Sequence, residues 1–325
     1  MHKYILTIGF SFFTFIANCQ LLDSSVSISS LETPDAPGFI LADEAPNAVS
    51  KPITPKAFGI SIYSLLKGGA FQITPFWLLQ HPKYDFERYV NNKFPLLETF
   101  NLSIATFKKD SSSVVSAGFK THLFRLYQAK TKKEILVLKE SAVKVLSNLD
   151  SNNEAVIKKA LEEIKVNIDE LSKKPLIRIE LLGAYLGNSN TNSFKNLQAS
   201  KIGAWLNGSY QPKDIDFSFT ALGRYSKVVG ASAKLNTDSI FVDYGIATSY
   251  TKNNFDITVE FVNRKDFISK INSNRLVAVL NYKVTDQITF VGSFGKNYSK
   301  VDDIFSVFGI KFGVSSKRIP INDKK

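Results

Sequence analysis

The sequence predicts an all-β protein: an antiparallel transmembrane β-barrel of about 12 strands with an inserted α-helical hairpin. Three observations predict it. Apolar and polar residues alternate with period two, stretch after stretch. Those stretches run to about nine to thirteen residues, against the five or six usual in soluble strands, and strands of about ten residues tilted by about 40° span about 25 Å of hydrocarbon. Tyrosine recurs at strand ends on the apolar face, while the polar face holds Gly, Ala, Ser and mid-strand charges of both signs.

The chain has 325 residues, with Cys and Met present once each, 26 Phe and 12 Tyr. Residues 1–19 read as a secretory signal peptide: Lys3 gives a short positive region, Tyr4 to Ala17 an apolar one too short for a comfortable membrane span, and Ala17 and Cys19 a small-residue cleavage site before Gln20. Cys19 has a rival reading as a lipidated cysteine, which Asn18 fits poorly. Cleavage after Cys19 leaves a chain with no cysteine for a disulfide, thiolate metal site or thiol nucleophile. No later apolar run approaches a spanning helix, so re-entry into a membrane requires strands.

Residues 20–56 form a Pro-rich extension without periodicity, in which Pro34, Pro37, Pro46, Pro52 and Pro55 oppose regular structure. It is read as extended, either a leader or the filling of a cavity. The barrel follows at 57–316. Its strands are read as 57–65, 70–79, 96–107, 114–126, 176–187, 201–211, 214–226, 239–251, 255–264, 275–284, 287–296 and 304–314. Polar or Gly-containing links such as Lys67-Gly68-Gly69, Pro212-Lys213, Asn253-Asn254 and Thr285-Asp286 suit hairpin turns. A basic tail, 317–325, ends the chain.

Strand parity assigns the faces. In DIDFSFTALGRY, Ile215, Phe217, Phe219 and Tyr225 share one face, and Asp214, Asp216, Ser218 and Arg224 the other. An exported soluble β-sandwich or β-helix is the rival reading, but its washed face would carry more long Lys and Glu and fewer Gly. The barrel register directs a lumen network inward: Lys120, His122, Arg178, Glu180, Asp214, Asp216, Arg224, Asp243, Asp256, Glu260, Arg264, Arg275, Lys283 and Lys311. Tyr185, Tyr210, Tyr225, Tyr250 and Tyr282 are the interface aromatics. The network reads either as ion pairs filling a narrow barrel or as a polar conduit.

Residues 129–174 switch to helical spacing. Ile135, Leu138, Ala142, Val145, Leu146 and Leu149 form one series, and Val156, Ile157, Ala160, Leu161, Ile164, Ile168 and Leu171 another, around Asp150-Ser151-Asn152-Asn153. This is a helical hairpin. An even strand count places it on the periplasmic side, where it either packs on the barrel or docks a periplasmic protein.

The signal, the leader and about twelve amphipathic strands together resemble the outer-membrane β-barrels of Gram-negative bacteria. The stretches APGFILADEAPNAVSKPITPKAFGISI and AFQITPFWL are similar to an uncharacterised group of such barrels from the Bacteroidota. The resemblance implies the cell outer membrane, with no functional residues carried over. One departure is the tail after Val314, where the usual assembly signal ends on a terminal aromatic residue.

The excess of the formal net charge of +12 lies mostly in links and tail, which suits lipid headgroups or lipopolysaccharide phosphates. No compact basic-aromatic module suggests nucleic acid as a partner. No catalytic, cofactor or metal site is expected. His122 could belong to a Ser-His-Asn lipase arrangement, but no nucleophile motif accompanies it. The expected function is a narrow or gated pore for small polar solutes; the alternative is a non-conducting barrel plugged by its leader and acting as a scaffold or partner-binding subunit.

Overall fold

The computed structural model describes the chain except residues 1–24, 28–35, 46–47, 50–57, 64–67, 80–85, 110–111, 148–158, 162, 165–166, 168–170, 172–174, 190–193, 195, 213–214, 230–238, 286–287, 299–303, 315–317 and 321–325. The signal-peptide reading lies outside the described residues.

Twelve antiparallel strands close into one barrel. They are β2 (Phe58–Tyr63), β3 (Gly68–Ile73), β4 (Asn101–Lys109), β5 (Ser112–Leu126), β6 (Ile177–Ser189) and β7 (Gln198–Tyr210), then β8 (Phe217–Val228), β9 (Ile240–Lys252), β10 (Phe255–Asp266), β11 (Asn272–Lys283), β12 (Ile288–Lys296) and β13 (Ile304–Val314). Each pairs with its sequence neighbour, and β13 returns to β2, with Phe312 opposite Ile60. Closure leaves no edge strand among these long apolar segments. A separate pair joins β1 (Ser25–Ser27) to β14 (Arg318–Pro320). Both ends of the barrel chain therefore emerge at one rim, called here the terminal rim.

Burial follows the parity of the sequence. In β8, Ser218, Thr220, Leu222, Arg224 and Ser226 are buried while Phe217, Phe219 and Tyr225 are exposed. The outward face carries a continuous apolar band that includes Ile104, Ile202, Leu206, Ile246, Ile257, Val259, Phe261, Leu276, Leu280, Phe294 and Phe308. No helix among the described residues is long and apolar enough to cross a membrane.

Short links close at the terminal rim as the turn residues suggest. The β9–β10 hairpin turns in two residues, with Asn253 at φ 52°, a left-handed conformation asparagine tolerates. The longer links at this rim carry helices: a 3₁₀ turn (Pro75–Leu78), α2 (Phe86–Asn91), α3 (Leu96–Thr99) and α4 (Ala129–Ser147). Trp77, Tyr89, Val90, Tyr127, Ile135, Ala142 and Leu161 bury together there, a second core beneath the barrel. α4 is the first helix of the expected hairpin. Of the second series, Leu161, Ile164 and Leu171 pack on this core, and the rest lies mostly outside the described residues.

Several boundaries differ from the sequence reading, three of them near the leader and the first strands. β3 stops at Ile73 rather than at 79, because Pro75 ends the ladder. Residues 96–99 are helical, and the next strand begins only at Asn101. The leader is not wholly irregular either: Pro37–Leu41 form a helix, α1, with proline at its first position, where a missing N–H costs nothing.

Candidate functional site: a segment held inside the barrel

α1 and the described residues that follow it, 42–45, 48 and 49, lie inside the lumen. Every residue of α1 is buried, and Phe39, Ile40 and Leu41 join the barrel's interior core with Phe107, Leu182, Leu186 and Trp205. Phe39 packs on Phe107 with ring centroids 5.4 Å apart. Contact is close enough to require glycine on both sides. A Cβ on Gly38 would stand 1.7 Å from Ser116 Oγ, and one on Gly203 would stand 2.6 Å from Leu41 Cδ1. Where α1 meets it, this wall, from β4 to β7, is mostly apolar, with Lys201 of β7 as the charged exception.

The opposite wall is ionic. Arg224, Asp243 and Arg264 sit side by side in one row across β8, β9 and β10. Asp243 accepts from Arg224 Nε (2.7 Å) and Arg264 Nε (2.8 Å). The segment adds a second carboxylate. Asp43 accepts from Arg264 Nη1 (2.7 Å) and Nη2 (2.8 Å), from Arg224 Nη2 (3.3 Å) and from Lys201 Nζ (3.5 Å). Asp43 reaches this point because it ends α1 in the left-handed conformation, φ 62°, which Asp adopts more readily than most residues. The Glu44 N–H donates back to Phe39 O at 3.0 Å and closes the helix end.

Backbone contacts complete the hold. Arg224 Nη1 donates to Ile40 O (3.0 Å), Lys201 Nζ to Leu41 O (2.9 Å) and Arg275 Nη2 to Ala45 O (3.1 Å). Glu260 accepts the N–H groups of Ala48 (2.9 Å) and Val49 (2.9 Å) and also Arg275 Nε (2.8 Å). Charge-assisted bonds of this length are the strong kind. The arginines are further sandwiched: Arg264 lies 3.6 Å from the Tyr298 ring centroid and Arg275 4.9 Å from that of Phe305.

Of the expected network, Arg224, Asp243, Glu260, Arg264 and Arg275 come together around the segment. Lys120, His122, Arg178, Glu180 and Lys311 are buried on the inner face, with His122 Nε2 3.8 Å from Glu180 Oε1. Asp256 and Lys283 are half-buried near the terminal rim, where Asp256 accepts from Thr251 Oγ1 (2.6 Å) and Asn281 Nδ2 (3.0 Å). Asp216 is a correction: β8 begins at Phe217, three residues after the expected start at 214, and Asp216 is an exposed turn residue whose carbonyl accepts the Thr251 N–H. Asp214 lies outside the described residues. Tyr185, Tyr210, Tyr225 and Tyr282 are exposed on the outer face, whereas Tyr250 is half-buried against Phe217, ring centroids 5.0 Å apart.

Sequence reasoning missed Asp43, Lys201 and Arg125. Lys201 shares its parity with Asn207 and Ser209 on β7, a signal present in the sequence. Arg125 turns inward only because a bulge between His122 and Phe124 reverses the alternation. Its Nη2 donates to Tyr89 O (2.6 Å) and lies 3.8 Å from Glu98. Glu98, in α3, also accepts from Asn92, and burial pushes its carboxyl up to about 7 against the pull of Arg125. Among the described residues no His, Cys, Asp and Glu group could hold a metal ion.

No family model and no curated protein matches this chain. Solved barrels do match by shape. The KdgM porin is 12% identical over 79% of this chain and 97% of its own, with a TM-score of 0.38. Omp33, an Acinetobacter baumannii outer membrane protein, is 12% identical over 80% and 98%, with a TM-score of 0.34. OmpT of Vibrio cholerae is 10% identical over 76% and 77%, with a TM-score of 0.30. At these scores none bears on what this chain does.

Proposed function

We propose that this chain is an integral outer-membrane β-barrel that is closed at rest by α1 and the described residues after it, 36–45, 48 and 49: a gated pore for small polar solutes. The observation that carries the reading is the seating of α1 and Asp43 inside the lumen, against a polar and charged inner face, while the outer face is apolar. A soluble barrel would put that apolar band in water, whereas lipid covers it at no cost. The hold is divided between tight packing and reversible ion pairs, which suits a segment that leaves and returns.

The alternative, a non-conducting scaffold, is favoured by one feature, the helical layer at the terminal rim. Its α4 carries Lys130, Lys132, Lys133, Lys139 and Lys144. In that case residues 129–174 would dock a periplasmic protein and the lumen would never open.

Planar-bilayer recording of the detergent-purified protein, with its heat-modifiable mobility measured on the same sample, separates the readings. The gated pore gives a folded, heat-modifiable band and rare step openings from a closed baseline. A folded protein that stays silent at every voltage and after release of the segment favours the scaffold.

A further inference from the structure

We infer that Lys201, Arg224 and Arg264 form a recognition site for a small carboxylate-bearing solute, which Asp43 occupies in cis while the barrel is closed. The inference rests on the reading of α1 and Asp43 as part of a displaceable plug.

The geometry is that of a prepared cradle. Asp243 binds the Nε of Arg224 and of Arg264, and also meets Arg224 Nη2 at 2.6 Å and Arg264 Nη2 at 3.0 Å. Held there, the two guanidinium groups turn their outer nitrogens toward a common point. At that point sits the Asp43 carboxylate, gripped end-on by both Nη atoms of Arg264 and touched by Arg224 and Lys201. Planar two-point binding is what arginine gives a carboxylate, and it distinguishes such a group from chloride. Tyr298 packs on the face of Arg264 and its hydroxyl accepts from Arg224 Nη2 at 3.3 Å, which fixes both arginines independently of Asp43.

The charges point the same way. Three cations here face two carboxylates, of which the barrel owns only Asp243. Withdrawal of the segment leaves those cations facing Asp243 alone, in a confined space where an uncompensated charge is expensive. An incoming carboxylate restores the balance that Asp43 supplied. Access exists as well: the Asp43 side chain keeps 17% of its surface exposed, whereas Asp243 keeps none. The site lies in the half of the barrel away from the terminal rim, beside the β12–β13 link that supplies Asn297 and Tyr298.

The test is the heat-modification midpoint of full-length Asp43→Ala protein, with sodium acetate replacing sodium chloride at constant ionic strength. Acetate should raise the midpoint by several degrees in Asp43→Ala, leave the wild type unmoved, and do nothing in Asp43→Ala with Arg264→Gln. An equal response in all three proteins, or none in Asp43→Ala, overturns the site. A stronger response to inorganic phosphate than to acetate overturns the carboxylate assignment.

Should Asp43→Ala fail to fold, Gly38→Val, which keeps every charge, carries the test through its reversal potential in a salt gradient. Anion-selective current that loses its selectivity on Arg264→Gln supports the site, and cation-selective current overturns it. Failure of the plug reading shows up separately, as a wild type that conducts continuously whatever the acetate result.

Discussion

The two walls of the lumen hold the same segment by unlike means. From β4 to β7 the contact is steric apart from Lys201 at the β7 edge: Phe39 on Phe107, Leu41 over Gly203, Gly38 against Ser116. From β8 to β11 it is ionic: Asp43 on Arg264 and Arg224, and Glu260 on the backbone of Ala48 and Val49. Packing of the first kind fixes shape and tolerates no added atom. Bonding of the second kind fixes position but can be exchanged for another partner of like charge. A plug held only by the first would be a permanent core, and one held only by the second would be poorly placed. Under the proposed gating, the combination would give a unique closed state with a route out of it.

Substitutions on the two walls should therefore differ in kind as well as in size. Gly38→Val has the largest expected effect on closure. Its side chain has no room beside Ser116, overpacking costs about 1–3 kcal/mol or more, and frequent step openings should replace a quiet baseline in bilayers. Asp43→Asn comes next. It keeps the shape but removes the charge facing Arg264, at a cost of about 1–3 kcal/mol, so openings should be intermittent. A double-mutant cycle of Asp43→Asn with Arg264→Gln, read from opening free energies, should give a coupling of about 0.5–3 kcal/mol; a coupling near zero would break the comparison of the walls. Glu260→Gln should have a smaller effect, because the amide oxygen still accepts one backbone N–H.

Glu98 is a control outside both walls. Its folded-state pKa of about 7 lies above the ordinary 4.5, so the protonated form is the one the fold prefers. Its contribution to stability is present in full below about pH 4.5 and is lost as pH rises through about 7. The heat-modification midpoint should fall over that window, Glu98→Gln should flatten the fall, and bilayer opening should be unchanged.

Much of this architecture is legible in the sequence because a barrel obeys one short-range rule. Period-two alternation placed Arg224, Asp243, Arg264, Glu260 and Arg275 on the inner face, since each sits within an unbroken ladder. The rule fails where the ladder does. A bulge after His122 turned Arg125 inward, and the late start of β8 put Asp216 in a turn. It says nothing about Asp43, whose partners Arg224 and Arg264 lie 181 and 221 residues away in a leader without periodicity. Pro37, a helix breaker in general, reads differently at the first turn of α1.

The most direct test of the central claim is thiol labelling of Ile40→Cys in a Cys19→Ser background, in the folded, detergent-purified protein. Ile40 is 1% exposed within the lumen. The account predicts that a soluble maleimide leaves this cysteine unmodified while the barrel is folded and modifies it once the barrel is heat-unfolded. Labelling at the same rate in both states would place the segment outside the lumen and contradict the closed barrel.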